Sequence, residues 1–129
     1  MSAYQVGMRA ERIVEGALRR AGWRILARNY RGPGYEIDLV VADPGTLIFV
    51  EIKYRKHSLE GAELSGLIGS GKRKSLYRGA RAFLSRLPHG CLPDVLRFDL
   101  AFLYGPLDSS PGLQYFENFL SDGLQTLTE

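Results

Sequence analysis

Two apolar runs separated by Asp43-Pro44-Gly45, in the stretch EIDLVVADPGTLIFVEIK from Glu36 to Lys53, constrain the fold of this chain more than any other feature. Runs of this length, rich in β-branched residues and broken by Pro-Gly, form two strands joined by a tight turn. With Pro44 and Gly45 at the centre of the turn, Asp43 falls opposite Thr46 and the register follows by counting outward. One face then matches Ile37 with Ile52, Leu39 with Val50 and Val41 with Ile48, and reads as core. The other face pairs Ala42 with Leu47 and Val40 with Phe49. It then turns polar, with Asp38 opposite Glu51 and Glu36 opposite Lys53.

Like charges placed directly opposite each other weaken a strand pair, so Asp38 facing Glu51 calls for a compensating cation. Mg²⁺ uses one or two protein carboxylates and completes its octahedron with water and phosphate oxygens, which is the ligand supply this end of the hairpin offers. Lys53 lies two residues beyond Glu51 and so shares its strand face. Two carboxylates and an ammonium are expected to converge there. A one-residue slip in register would undo the arrangement.

The remaining elements are read from periodicity. Val6, Ala10, Ile13, Val14, Ala17, Leu18 and Ala21 carry the spacing of an amphipathic helix ended by Gly22, with Glu11 at the edge of its apolar stripe. Geometry alone leaves Glu11 a half-exposed helix residue. Trp23 to Asn29 reads as a strand with Trp23, Ile25 and Ala27 on one face, and Gly32-Pro33-Gly34 turns it into the hairpin as an antiparallel meander.

After Lys53, a glycine-rich stretch that begins Tyr54-Arg55-Lys56-His57 reads as a mobile loop, either a plain connection or a cover for a substrate. Lys72 to Leu87 follows as a helix with Leu76, Ala80, Phe83, Leu84 and Leu87 inward, and Gly79 costs it about 1 kcal/mol of propensity against alanine. Lys72, Arg73 and Lys74 crowd its first turn, where the helix dipole disfavours cations. They either solubilise that end or hold an anion. Val95 to Tyr104 is a long strand with Leu96, Phe98, Leu100, Phe102 and Tyr104 on one face. Arg97 and Asp99, on the other face, form either an ion pair or an extension of the polar site. Leu113 to Leu120 adds an edge strand, and Ser121 to Glu129 reads as a weakly ordered acidic tail.

A chain of 129 residues, 45% of them hydrophobic, supports one domain with its own core. That domain is expected to span 1–129, with a core over about 6–104 and an acidic segment at 105–129. A single cysteine, Cys91, forms no intramolecular disulfide and fits a reducing, cytoplasmic setting. No apolar run approaches the length of a membrane span. The net charge is only +3, yet all 17 Lys and Arg lie at or before Arg97, where nine acids leave a balance of +8 against −5 for the rest. That asymmetry points to a polyanion partner or to an ordinary solvated surface.

The order helix, three strands, helix, strand, with carboxylates on the hairpin, resembles the α/β core of the PD-(D/E)xK superfamily, the restriction-endonuclease-like fold. More closely, the chain resembles the YraN-like family of predicted endonucleases. The match runs through Ala10-Glu11, Gly22, Ile25-Leu26 and Arg28-Asn29, then Glu36-Ile37-Asp38-Leu39 and Phe49-Val50-Glu51-Ile52-Lys53. It continues with Arg55, Lys72, Leu76, Ala80 and Arg97-Phe98-Asp99. Tyr35 stands where the family usually has glycine, and Ile52 replaces a common valine.

The resemblance implies a mixed sheet in the order α-β-β-β-α-β, with Asp38 and Glu51 as ligands of Mg²⁺ or Mn²⁺. It further implies Lys53 as catalytic lysine and Glu11 as a further acidic residue of the site. Glu36 is either an orienting partner of Lys53 or a metal contact. Arg55, Lys72, Arg73 and Lys74 are expected to hold phosphates without reading sequence. The implied function is hydrolysis of DNA phosphodiester bonds, including structured or branched DNA, and a homodimer is the oligomer that resolvase-like enzymes suggest. A nucleic-acid-binding module that retains the fold without cutting is the alternative, and a structural domain with ordinary ion pairs a third.

Overall fold

A computed structural model of the chain describes residues 1–59 and 66–120. The acidic tail from Ser121 and the middle of the glycine-rich stretch lie outside the described residues. The elements are α1 (Ala3–Arg20), β1 (Arg24–Gly32), β2 (Tyr35–Asp43), β3 (Thr46–Arg55), α2 (Ser70–Ser85), β4 (Val95–Tyr104) and β5 (Gly112–Phe116). They form a mixed α/β structure whose five-stranded sheet runs in the order β1-β2-β3-β4-β5. The β1–β2, β2–β3 and β4–β5 pairs are antiparallel and β3–β4 is parallel. A parallel pair requires a crossover, which contains α2. Among the described residues, no helix is long and apolar enough to cross a membrane.

Each helix covers one face of the sheet. On the α1 side, Val14 and Leu18 pack against Leu39, Val41, Ile48 and Val50. On the α2 side, Leu76, Ala80 and Leu84 pack against Val40, Phe49 and Phe98. The central hairpin pairs Asp43 with Thr46, Val41 with Ile48 and Leu39 with Val50, as counted from the sequence. Gly45 has φ of +80°, the left-handed torsion that Pro-Gly supplies at the second central residue of a type II turn.

The expected Ile37–Ile52, Asp38–Glu51 and Glu36–Lys53 pairs do not form, because the β2–β3 ladder ends at Leu39 and Val50. Ile37 packs with Val40 on the α2 side while Leu39 and Val41 face α1, so strict alternation breaks around Asp38. On the neighbouring strand Asn29, between the paired Arg28 and Tyr30, takes a left-handed φ of 48°. Ile25 and Ala27 also fall on opposite faces rather than one, because Leu26 is an extra residue in a bulge.

Helix α1 begins earlier than its apolar periodicity, at Ala3, because Ser2 and Gln5 form a reciprocal capping box. Helix α2 spans Ser70–Ser85, two residues ahead of the expected range at each end. Gly79 is required by packing: a Cβ there would lie 2.7 Å from Ile37 Cδ1 and 2.8 Å from Cγ1. Tyr35 folds back over Gly32, where a Cβ would meet its ring at 2.2 Å, and its ring lies 5.7 Å from that of Tyr30. Its φ is not positive, so the substitution for glycine leaves an ordinary backbone at the edge of the site.

Candidate active site

The site lies where β2 and β3 part. Beyond Leu39–Val50 the Asp38 carboxylate takes over from the backbone, and its Oδ2 accepts the Ile52 N–H at 2.8 Å. Asp38 is thereby fixed close enough to Glu51 for its negative charge to raise the Glu51 pKa. Glu51 sits between Val50, which faces α1, and Ile52, so strand alternation sends it toward α2. There Lys72 Nζ meets Glu51 Oε2 at 3.1 Å. The Glu51 side chain is only 3% exposed, against 29% for that of Lys72.

Burial is the main reason that the Glu51 carboxyl is pushed up from 4.5 to about 8, followed by the neighbouring Asp38 carboxylate. Lys72 opposes this without cancelling it. Oε2 accepts no well-aligned hydrogen bond despite its closeness to the ammonium, so the contact is one of charge more than of direction. For Lys72, burial works to lower the pKa, but the Glu51 carboxylate outweighs it and the net shift is upward.

Glu11 reaches the same region from α1. Its Oε2 accepts from Asn29 Nδ2 at 3.3 Å, and its pKa is raised by burial, against the lowering effect of Asn29, with further increments from Asp38 and Glu36. Glu36 pairs with Arg31 at 3.1 Å, its cross-strand neighbour on β1, rather than with Lys53. The Glu36 N–H also donates to Ser75 Oγ at 3.1 Å, which ties β2 to α2. Lys53 is half-buried, shares the strand face of Glu51 and makes no salt bridge to any described residue. Arg55, two residues on, lines a cavity of about 860 Å³ together with Lys56, His57, Leu67 and Phe102.

The structure therefore brings Glu51 and Lys72 into contact, places Asp38 within electrostatic reach of both, and puts Glu11 and Glu36 near enough to influence the group. Arg73 is half-buried and Lys74 exposed, directly after Lys72 near the start of α2. Three participants escaped sequence reasoning: Asn29, Ser75, and Lys72 as partner of Glu51. A left-handed site at an asparagine was the one local signal available, since asparagine tolerates that conformation. Asp99 lies apart on the α1 side. It is fully buried and held by Arg97 at 2.9 and 3.0 Å, the Tyr115 hydroxyl at 2.7 Å and the Asn118 N–H at 2.9 Å. That resolves the Arg97–Asp99 alternative as an ion pair.

Among the described residues, no group of three or more His, Cys, Asp or Glu is arranged to hold a metal ion. Two carboxylates are nonetheless within the number that Mg²⁺ draws from a protein. Glu51, with a buried oxygen lacking an aligned donor, is chemically suited to a hard cation.

The sequence profile of the uncharacterised protein family UPF0102 matches residues 10–103, a span that includes every acidic residue of the site. The chain belongs to that family. A UPF0102 protein of Pseudomonas putida (strain GB-1) is 38% identical over 118 residues, covering 91% of this chain and 94% of its own. A UPF0102 protein of Synechococcus sp. (strain JA-3-3Ab) is 38% identical over 127 residues, covering 96% and 91%. One of Paracidovorax citrulli is 42% identical over 103 residues, covering 77% and 73%. This UPF0102 chain thus aligns with these relatives over 73–94% of their own length.

Proposed function

We propose that the protein is a metal-dependent endonuclease of the PD-(D/E)xK, restriction-endonuclease-like kind, which hydrolyses DNA phosphodiester bonds. The observation that supports this reading is the buried Glu51 beside Asp38 where the central hairpin opens, with the Lys72 ammonium, rather than the expected Lys53, at Glu51 Oε2. A strand pair gains no stability from two adjacent carboxylates, one of them buried, so their placement asks for a ligand. Mg²⁺ or Mn²⁺ held by Asp38 and Glu51 would supply Lewis-acid polarisation of a phosphoryl oxygen and a more acidic water.

The remaining work falls to the chain's own side chains. Lys53 is the ammonium on the Glu51 strand face that no described carboxylate neutralises, so it is available to orient the attacking water or to offset charge building on the phosphate. Glu11, fixed by Asn29, supports the acidic pole of the site from α1. Arg55, Arg73 and Lys74 hold neighbouring phosphates, and binding weakens steeply as salt is raised.

The test is incubation of the purified protein with linear and branched DNA and Mg²⁺ or Mn²⁺. Cleavage that Asp38→Ala and Lys53→Ala each abolish supports hydrolysis. Tight, salt-sensitive binding without cleavage in any divalent ion supports the second reading, a nucleic-acid-binding module. That reading is favoured by the lack of a third clustered carboxylate among the described residues.

A further inference from the structure

Lys72 stands in a position that helix stability does not explain. It occupies the first turn of α2, which carries no acidic residue, and Gly69 at the cap provides no side-chain hydrogen bond. A cation there opposes the helix dipole. Its ammonium instead lies at 3.1 Å from Glu51 Oε2, an oxygen with no aligned hydrogen-bond donor. We propose that Lys72 is the resident counter-ion of the site: it pairs with Glu51 Oε2, yields that oxygen to a divalent cation, and then turns to a phosphate of the nucleic acid. This inference rests on the reading of Asp38 and Glu51 as an ion site.

The charges argue for exchange rather than coexistence. With Glu51 ionised, as ion binding requires, one ammonium offsets half the charge of the two carboxylates, whereas a divalent cation offsets all of it and repels the ammonium at close range. The exposures give the direction of movement. Glu51, on a central strand, is held at 3% side-chain exposure, while the 29% exposed lysine has a long flexible stem and a route to solvent. Arg73 and Lys74 follow Lys72 directly along α2, so a released Lys72 would add its charge to a basic stretch. Ion binding and nucleic-acid binding become positively coupled through this one side chain, and the coupling is reciprocal.

The experiment is calorimetric titration of Mn²⁺ into the full-length protein and its Lys72→Met and Lys72→Gln variants, with Asp38→Asn as a control for the site. Lys72→Gln keeps a donor for Glu51 without the charge, so at least one variant tests the idea in a folded protein. Fluorescence anisotropy of a labelled DNA duplex, with and without Ca²⁺, provides the second readout. The expected result is Mn²⁺ affinity on the order of tenfold tighter in both Lys72 variants, together with a Ca²⁺-dependent gain in duplex affinity in the wild type that the variants lose. Equal or weaker Mn²⁺ binding in the variants, with Asp38→Asn abolishing it, overturns the role of Lys72 and leaves the ion site standing. Mn²⁺ binding that survives Asp38→Asn, or no binding in any form, overturns the ion site and the proposal with it.

Discussion

Asp38 holds Ile52 by its side chain: Oδ2 accepts the Ile52 N–H at 2.8 Å, just where the β2–β3 ladder stops. The carboxylate thus has a structural duty and, beside Glu51, an electrostatic cost. Two substitutions separate them. Asp38→Ala strips the Ile52 N–H of its acceptor, and a partly buried amide left unpaired costs about 1–3 kcal/mol. Asp38→Asn keeps an acceptor oxygen and removes the charge, so it is expected to melt at or above the wild-type temperature in ion-free buffer. Thermal unfolding of the two variants should diverge in this sense, and both should lose any stabilisation by Mn²⁺.

The pH dependence of stability follows from Glu51. Its pKa is pushed up from 4.5 to about 8, first by burial and then by Asp38. An acid whose folded pKa lies above its unfolded value binds its proton more tightly when folded, so this contribution to stability is full below the ordinary carboxylate range. It declines as pH rises toward about 8, where the buried group must ionise. Glu11 shifts in the same direction. Urea denaturation in chelator is therefore expected to show stability falling between about pH 5 and pH 8. Glu51→Gln should flatten most of that slope.

Gly79→Ala sets a local gain against a tertiary loss. Alanine improves helix propensity by about 1 kcal/mol. The new methyl would lie 2.7 Å from Ile37 Cδ1 and 2.8 Å from Cγ1, and Ile37 is fully buried and cannot move aside freely. Overpacking of this kind costs about 1–3 kcal/mol, so the variant should be less stable than wild type by chemical denaturation. It should also displace the α2 turn that presents Lys72, so Mn²⁺ affinity is expected to change along with stability.

The hairpin was legible in the sequence because its register depends on one turn and a period of two, and Leu39–Val50 through Asp43–Thr46 obey both. The failure at Ile37 is local. No pattern of apolar residues signals that Asp38 will replace a backbone acceptor and rotate Ile37 onto the α2 side. The bulge at Leu26 escaped for the same reason, since Ile25 and Ala27 look like one face until an extra residue is inserted. Lys72 and Glu51 meet only through the parallel crossover, a contact between distant residues that spacing along the chain does not encode. Arg97 and Asp99 looked equally suited to a site or to an ion pair, because the sequence does not reveal Tyr115 and Asn118 closing around the carboxylate.

Asp99→Ala gives the contrast between a structural acid and a site acid. Asp99 is fully buried, and its loss leaves the Arg97 guanidinium, whose side chain is 19% exposed, without its bidentate partner. Breaking such a pair from one side costs about 3–5 kcal/mol. The variant should show a large fall in melting temperature. At a temperature where it remains folded it should keep wild-type Mn²⁺ affinity, because Asp99 faces α1 while Glu51 and Lys72 meet on the α2 side.

Lys53→Met is the sharpest test of the chemistry. The side chain is half-buried and pairs with no described carboxylate, so methionine preserves the apolar part of its packing and removes only the ammonium. Stability should stay within about 0.5 kcal/mol of wild type. If Lys53 stabilises charge as a phosphodiester is hydrolysed, turnover falls by about 10²-fold or more while the affinity for DNA changes little, since the interaction strengthens only in the transition state. Cleavage kinetics and melting curves on the same preparation decide the matter. A variant that cuts DNA at the wild-type rate would remove Lys53 from the reaction and leave Lys72, the amine in contact with Glu51, as the ammonium nearest the carboxylates.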